Sequence, residues 1–396
     1  MRMRTALLAA IVIGLGAVTA TSAADATGFG SSGDPSTVRV ATFNASLNRG
    51  SPGALLSDLQ SGSNAQAKVI AQIVQINHPD ILLLNEFDYY PGLAAARAFT
   101  DNYLERSQNG HAPVDYPFMY TAPVNTGVPT GRDLNGDGRT DGPDDAYGFG
   151  AFPGQYGMLV LSRFPIDTAK VRTFGKFLWK DQPGNLIPRD YYGADADILR
   201  LSSKSHWDLP IDVRGRRIHL LASHPTPPSF DGPEDRNGRR NHDEVRFSAD
   251  YIAGGARAQY IRDDAGRRGG LDPGASFVMV GDQNSDPLDG GPPGPGVGAI
   301  TQVLSLPRVR DTLPTSAGAV VASVGETGHR TPPQLRTADF SDPVPGNLRV
   351  DYVLPSRDLP VAGAAVFWPA PGQPGAELMP PTVSSDHRLV WVDLRL

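Results

Sequence analysis

The sequence predicts a mixed α/β protein, and three observations support this fold class. Short apolar runs rich in branched residues recur at wide spacing, which is typical of buried strands. Amphipathic helical patterns lie between some of these runs. The chain has 44 Gly and 36 Pro among its 396 residues, so frequent turns connect the elements and an all-helical protein is excluded.

Seven apolar runs are predicted to be strands, and two segments are predicted to be helices. The strands are expected at residues 38–43, 81–84, 158–161, 218–222, 277–280, 350–354 and 389–394. One helix is expected over residues 65–77, where Val69, Ile70 and Ile73 share an apolar face. A second helix is predicted to begin at Asn241, an N-cap three residues before Glu244.

The first residues are typical of a secretory signal peptide. Arg2 and Arg4 precede an apolar run at 6–20, and small residues follow up to a predicted cleavage after Ala23. We expect a signal peptide at 1–23, a flexible lead-in at 24–36 and one large domain at 37–396 that is secreted. The chain has no cysteine, which excludes disulfides, thiolate metal sites and a cysteine nucleophile.

The charge balance excludes one class of function. The chain has 36 Lys and Arg against 42 Asp and Glu, a formal net charge of −6, so it does not package nucleic acid electrostatically. A locally basic cleft would still be compatible with this balance. The sequence also lacks the Gly-x-Ser-x-Gly elbow of serine hydrolases and the glycine fingerprint of dinucleotide-binding folds.

Polar side chains cluster at the ends of the predicted strands. Each alone has a structural explanation, such as a cap, a turn or a surface ion pair. Together they are the residue types that hold a hard cation and a phosphate, so we predict an active-site rim. These residues are Asn44, Asn85, Glu86, His224, Asp282, Asn284, Asp351, Asp386 and His387.

Six motifs resemble those of the endonuclease/exonuclease/phosphatase superfamily, which is deoxyribonuclease-like. They are Phe-Asn at 43–44, Leu-Asn-Glu at 84–86, Ser-His at 223–224, Gly-Asp-Gln-Asn at 281–284, Arg-Val-Asp-Tyr-Val-Leu at 349–354 and Ser-Asp-His at 385–387. All six occur in the family's order, and they are distributed along nearly the whole of residues 37–396. With the predicted signal peptide, the chain resembles a secreted bacterial-type member.

The resemblance implies a fold and a chemistry. The fold is a four-layer sandwich of two packed mixed β-sheets flanked by helices, and the activity is metal-dependent hydrolysis of a phosphoester. Glu86 would bind the metal, with Asn44 and Asp386 close to the same ion. These oxygen ligands suit Mg²⁺ or Mn²⁺.

The resemblance also implies roles for the remaining rim residues. His387 would contact the scissile phosphate, and Asp351 would orient its imidazole. Asp282 would position or deprotonate the attacking water. Asn284 and His224 would donate to phosphoryl oxygens.

Two positions depart from the family pattern. Many nucleases of the family have an acid two residues after the Asn, where this chain has Ser46. A Tyr often stands two positions before the family's glycine, where this chain has Gln155 followed by Tyr156. Either of these two side chains could face the phosphate, and Tyr156 could equally pack in the core or at the rim.

The segment 133–145 has the spacing of an EF-hand-type calcium loop. Oxygen side chains fall at positions 1, 3, 5, 9 and 12, with Gly138 at position 6 and the carbonyl of Arg139 as a further ligand. The departure is an Asp where a bidentate Glu is usual. A solvated acidic turn is the alternative to a structural Ca²⁺ site. The predicted ligand side chains are Asp133, Asn135, Asp137, Asp141 and Asp144.

A charged loop after His224 contains Arg236, Arg239 and Arg240, which could bind substrate phosphates or pair with neighbouring acids.

The favoured hypothesis is a secreted phosphoesterase acting on nucleic acid, an organic phosphate or a phospholipid head group. The acidic balance disfavours the nuclease mildly. The alternative is a non-catalytic calcium- or phosphate-binding extracellular module. No obligate protein partner is indicated, and we expect a monomer.

Overall fold

The computed structural model describes residues 36–290 and 296–396. The predicted signal peptide at 1–23 and the predicted lead-in, apart from Ser36, lie outside the described residues. In the described part of the chain, no helix combines the length and apolarity needed to cross a membrane.

Two mixed sheets form the centre of the described structure. The strands are β1 (Thr37–Asn44), β2 (Ile81–Asn85), β3 (Phe118–Tyr120), β4 (Met158–Ser162), β5 (Arg172–Thr173), β6 (His206–Val213), β7 (Arg216–Ser223), β8 (Ser276–Asp282), β9 (Asp351–Pro355), β10 (Val361–Val366) and β11 (Val390–Arg395). One sheet has the order β10-β11-β1-β2-β4-β3 and the other β5-β6-β7-β8-β9. The pairs β1–β2 and β7–β8 are parallel, and the other pairs are antiparallel.

Helices lie outside the sheets. They are α1 (Ala54–Gln60), α2 (Ala65–Asn77), α3 (Ala94–Phe99), α4 (Arg189–Tyr192), α5 (Arg236–Ala253), α6 (Thr301–Leu304) and α7 (Ala317–Ala322). The helix predicted at 65–77 is confirmed. It begins where the Asn64 side chain accepts a hydrogen bond from the Ala67 N–H at 3.0 Å.

The alternation of side chains along β8 shows how the layers pack. Val278 and Val280 belong to the core that joins the two sheets. Phe277 and Met279 point to the other face, into a second core that includes Val245 and other residues of α5. Because a strand presents alternate residues to opposite faces, this sheet is covered on both sides. The predicted sandwich of two mixed sheets flanked by helices is confirmed.

All seven predicted strands are present, and four further strands were not predicted. β6 alternates apolar with polar residues and contains Pro210, which is unusual inside a sheet. β10 consists largely of Gly and Ala, which have low strand propensity. β3 and β5 are only three and two residues long.

The prediction that a helix begins at Asn241 is wrong. α5 begins at Arg236, with Asp235 at its N-cap position, so Asn241 lies inside the helix. Its side chain instead donates to the carbonyls of Thr226 and Gln283, at 2.8 and 3.0 Å. The N-cap pattern failed because the Asn241 side chain binds loop carbonyls at the candidate site and does not cap the start of a helix.

Strand register brings the polar strand ends to one edge of the sandwich. Asn44 is opposite Asn85 in β1–β2, and Asp282 is opposite Asp351 in β8–β9. Asn85 links the two sheets, because its Oδ1 accepts the Asp282 N–H at 3.1 Å. The edge is therefore fixed by backbone pairing and by a buried amide.

Candidate active site

Asp282 lies at the centre of the site and is buried. Its Oδ2 accepts a hydrogen bond from Asn44 Nδ2 at 3.1 Å, and it lies 3.4 Å from His224 Nε2 and 3.6 Å from His387 Nε2. Its Oδ1 accepts the Asn284 N–H at 2.8 Å. One carboxylate thus contacts side chains from three other chain segments and the nearby Asn284 N–H.

The surroundings of Asp282 keep it ionised. Burial by itself would raise the pKa of this carboxyl, but the charge of His387 and the hydrogen bond from His224 outweigh burial and lower the pKa below its ordinary value. The buried carboxylate is therefore a fixed negative charge near neutral pH.

His387 and Asp351 form a buried pair. His387 Nδ1 lies 2.9 Å from Asp351 Oδ2, which also accepts from the Thr337 hydroxyl at 2.8 Å. Burial would lower the pKa of His387, but the carboxylates of Asp351 and Asp282 raise it well above the ordinary value. Ligand atoms of this histidine and these two aspartates all lie within 4.8 Å of one another. The proton of the group resides on His387, with Nε2 directed at Asp282.

His224 is the second buried imidazole. Burial lowers its pKa, and the charge of Lys204 lowers it further, so its ring is neutral near pH 7. Its Nδ1 is buried without a hydrogen-bond partner. Asn284, two residues beyond Asp282, is in the left-handed region with φ 48°, and its Nδ2 donates to the Pro225 carbonyl at 3.1 Å.

Glu86 extends into the same edge from the residue after β2. Its backbone is left-handed, with φ 57°, and its carboxylate accepts from Asn44 Nδ2 at 3.1 Å and from Asn48 Nδ2 at 2.8 Å. In the described residues no lysine or arginine forms an ion pair with it. Asn44 presents its amide N–H to both Glu86 and Asp282, while its oxygen accepts the Ser46 N–H at 3.2 Å. Asn44 therefore holds the two carboxylates together in this structure.

Asp386 joins the site through its neighbours. Ser385 Oγ donates to the Asn44 carbonyl at 2.7 Å and lies 3.1 Å from Ser46 Oγ, which ties this turn to the end of β1. The half-buried Asp386 side chain contributes to the raised pKa of His387. No described residue donates a hydrogen bond to its carboxylate. Ser46, which stands where many nucleases of the family have an acid, therefore contacts Ser385.

Of the two candidates for a phosphate contact, Gln155 is bound to the protein itself. Its Nε2 donates to the Arg49 carbonyl and its Oε1 accepts the Ala151 N–H, both at 2.7 Å, so the buried amide is used to hold loops. Tyr156 is left-handed, with φ 54°, and burial raises its pKa, with further contributions from Glu86 and Asp88. Tyr156 is therefore the member of the pair beside Glu86.

Two of the three rim arginines bind groups of the protein itself. Arg236 pairs with Glu234. Arg240 donates to the carbonyls of Leu201 and Arg200, at 2.9 and 2.8 Å, and to that of Tyr147. The side chain of Arg239 makes no hydrogen bond or ion pair within the described ranges, and its Nε is buried.

The predicted calcium loop is exposed, and its acidic side chains bond to its own backbone. Asp133 accepts the N–H groups of Gly136 and Gly138 at 2.7 and 2.9 Å. Asn135 and Asp137 accept further backbone N–H groups, and the side chain of Arg139 pairs with Asp141. The loop is closed by the buried Asp145, which accepts from Leu134 N and Gly142 N at 2.9 Å, whereas the predicted Asp144 is exposed.

Three residues that hold or line the site were not among the predicted rim residues. Asn48 lies shortly after the Phe-Asn motif, so its sequence position could have indicated it. Thr337 and Lys204 are far from every motif in the chain. Only tertiary structure brings Thr337 to Asp351 and Lys204 to the charges of Glu86 and Asp282.

Comparisons with known proteins support the family and the fold. The model of the endonuclease/exonuclease/phosphatase family matches residues 41–387. A solved endonuclease/exonuclease/phosphatase from Beutenbergia cavernae DSM 12333 is 18% identical, with a TM-score of 0.50 over 91% of this chain and 72% of that chain. A family protein from Leptotrichia buccalis C-1013-b is 14% identical, with a TM-score of 0.46 over 91% of this chain and 100% of that chain. Comparison with curated proteins gives no match. The chain belongs to the endonuclease/exonuclease/phosphatase family.

Proposed function

We propose that this chain is a divalent-metal-dependent phosphoesterase that hydrolyses a phosphodiester or phosphomonoester by attack of an activated water. Members of its family are typically metal-dependent phosphoesterases. The observation that carries the proposal is the buried Asp282 carboxylate, which meets Asn44, His224 and the Asp351-paired His387 at one point. Such an arrangement separates a proton acceptor from a proton donor.

Asp282 and His387 take part in two different proton transfers. Asp282 is ionised and accepts a proton from the attacking water as its oxygen bonds to phosphorus. His387, protonated between Asp351 and Asp282, gives a proton to the leaving oxygen as the phosphorus–oxygen bond breaks. Asn284 donates to the phosphoryl oxygens as charge redistributes. The neutral His224 has one N–H, which its contact with Asp282 uses, so His224 orients that carboxylate. Every transferred proton therefore has a donor and an acceptor.

The donor set beside this centre fits a hard divalent cation. The Glu86 carboxylate accepts hydrogen bonds only from neutral amides, and the Asp386 carboxylate accepts none from the described residues. Glu86 and Asp386 would hold Mg²⁺ or Mn²⁺, with Asn44 beside them. A bound cation would neutralise charge on the phosphoryl oxygens.

An assay of the purified protein tests the function. We expect metal-dependent hydrolysis in a panel of p-nitrophenyl phosphate, bis-p-nitrophenyl phosphate, plasmid DNA and sphingomyelin, each with Mg²⁺, Mn²⁺ or Ca²⁺ and each repeated with EDTA. Because Arg236 and Arg240 are bound to the protein itself, we expect the small phosphoesters to be cleaved better than DNA. Failure to cleave any member of the panel with any of the metals would favour the non-catalytic binding module.

We also propose that the acidic loop binds a structural Ca²⁺. Binding would replace the backbone hydrogen bonds of Asp133 by ion contacts and would stabilise the folded state. We expect Ca²⁺ to raise the melting temperature of the wild-type protein and to leave that of Asp133→Ala/Asp137→Ala unchanged. Equal shifts in both proteins would contradict the site.

Secretion is a further proposal, supported by the residues at 1–23. The test is the intact mass of the protein recovered outside expressing cells. Cleavage after Ala23 is expected, and a protein that is retained and begins at Met1 would contradict it.

A further inference from the structure

Lys204 is a buried lysine at the edge where the catalytic residues meet. It precedes β6 by two residues, and the Asn125 N–H donates to its carbonyl at 2.9 Å. The whole residue is only 7% exposed. Burying a long cationic side chain is costly, so a fold normally supplies a partner for it.

The ammonium group of Lys204 has no such partner. Within residues 36–290 and 296–396 it donates no hydrogen bond and forms no ion pair. Burial lowers its pKa, and the carboxylates of Glu244, Glu86 and Asp282 partly offset that effect. Its charge also lowers the pKa of His224. Antiparallel pairing places His206 opposite Ser223, so Lys204, two residues before β6, lies across from the segment that begins at His224.

Glu244 does not explain the lysine as a buried ion pair. One of its oxygens accepts the Ser203 N–H at 2.7 Å, and the other accepts the Thr226 N–H at 2.7 Å. These bonds fix the segment before β6 to the loop that carries His224. Glu244 thus positions Lys204 beside His224, and its own hydrogen bonds are made to the backbone.

We propose that Lys204 is a phosphate-binding residue whose ammonium contacts a non-bridging oxygen of the substrate. This inference rests on the proposed function, because it assigns the phosphoryl group of that reaction to this side chain. The contact gives this otherwise unpaired cation a partner when substrate is bound. A dianionic monoester phosphate gains more from this fixed charge than a monoanionic diester does.

Binding of inorganic phosphate tests the inference without requiring turnover. We would titrate phosphate into the wild type, Lys204→Met and Lys204→Gln by calorimetry, with and without Mg²⁺. A charge-assisted hydrogen bond lost from a buried site should weaken phosphate binding by about 10- to 100-fold. Lys68→Met is the matched control, because Lys68 is exposed on α2 and its loss changes the net charge equally.

A second measurement uses the wild-type protein alone, so it does not depend on the variants folding. Phosphate should protect Lys204 from acetylation by acetic anhydride, as followed by mass spectrometry, and should leave Lys68 unprotected. Unchanged phosphate affinity in a folded Lys204 variant, or no protection of Lys204, would overturn the inference.

Hydrolysis then separates this inference from the proposed function. In Lys204→Met, kcat/KM should fall more for p-nitrophenyl phosphate than for bis-p-nitrophenyl phosphate, whereas a merely structural role would lower both alike. A wild type that binds phosphate through Lys204 and cleaves no ester would contradict the proposed function alone. Equal losses for the two esters, or none, would contradict the role of Lys204 alone.

Discussion

Asp282→Asn should lower kcat by about 1,000-fold, within the range of about 10² to 10⁴ that general acid–base groups contribute. The substitution keeps the shape of the side chain, and its remaining oxygen can still accept the Asn284 N–H. It removes the proton acceptor, the fixed charge and the second oxygen, which accepts from Asn44. KM should change much less, because the phosphate contacts assigned to Asn284 and Lys204 remain.

Asp212→Asn is the matched control for this prediction. Asp212 lies in β6, is exposed, and accepts the Gly215 N–H at the far end of its hairpin. Circular dichroism should show that both variants fold. A folded Asp282→Asn protein with wild-type kcat would remove Asp282 from the mechanism.

A second measurement on Asp282→Asn is the pKa of His387. Asp282 and Asp351 both raise the pKa of His387, so removing either charge should lower that pKa. NMR titration of the His387 ring would measure the change. An unchanged titration in Asp282→Asn would show that the two side chains do not interact in solution.

The fold and the centre of the site were predictable because their signals are local or follow from strand register. Asp282 and Asp351 each adjoin a continuous apolar run, and antiparallel pairing of those runs puts the two residues opposite one another. The strand β6 was missed, although seven of its eight residues are buried, because its apolar residues alternate with polar ones around Pro210. A period-two pattern interrupted by proline does not predict an internal strand.

Two residues beside the catalytic groups could not be predicted, and the reason differs from that for β6. Lys204 and Thr337 have no local pattern that distinguishes them, and both gain their position from loops that pack against distant strands. Gln155 shows a related limit, because its place near the family glycine made it one of two candidates for a phosphate contact. The structure uses its amide to join Arg49 to Ala151. Sequence position identifies strand ends, but hydrogen-bond partners decide the role of an amide.

His387→Ala should lower kcat by about 10² to 10⁴-fold, with a loss that depends on the leaving group. A protonated His387 assists departure most when the leaving oxygen is strongly basic. The loss should therefore be larger for an alkyl phosphate than for p-nitrophenyl phosphate, whose leaving group departs as a stable anion. Equal losses for the two esters would assign His387 to phosphate binding instead of proton donation.

The pH dependence of kcat tests whether His387 acts as the proton donor. The active form has the proton on His387, and its pKa is raised, so kcat should fall only as pH increases through a value well above 6.5. Asp351→Asn removes the carboxylate that contacts Nδ1 and should move this fall to lower pH. Thr337→Val is the milder control, because it removes only the hydroxyl that donates to Asp351. A fall that moves to higher pH in Asp351→Asn, or that survives in His387→Ala, would mean that another group supplies the proton.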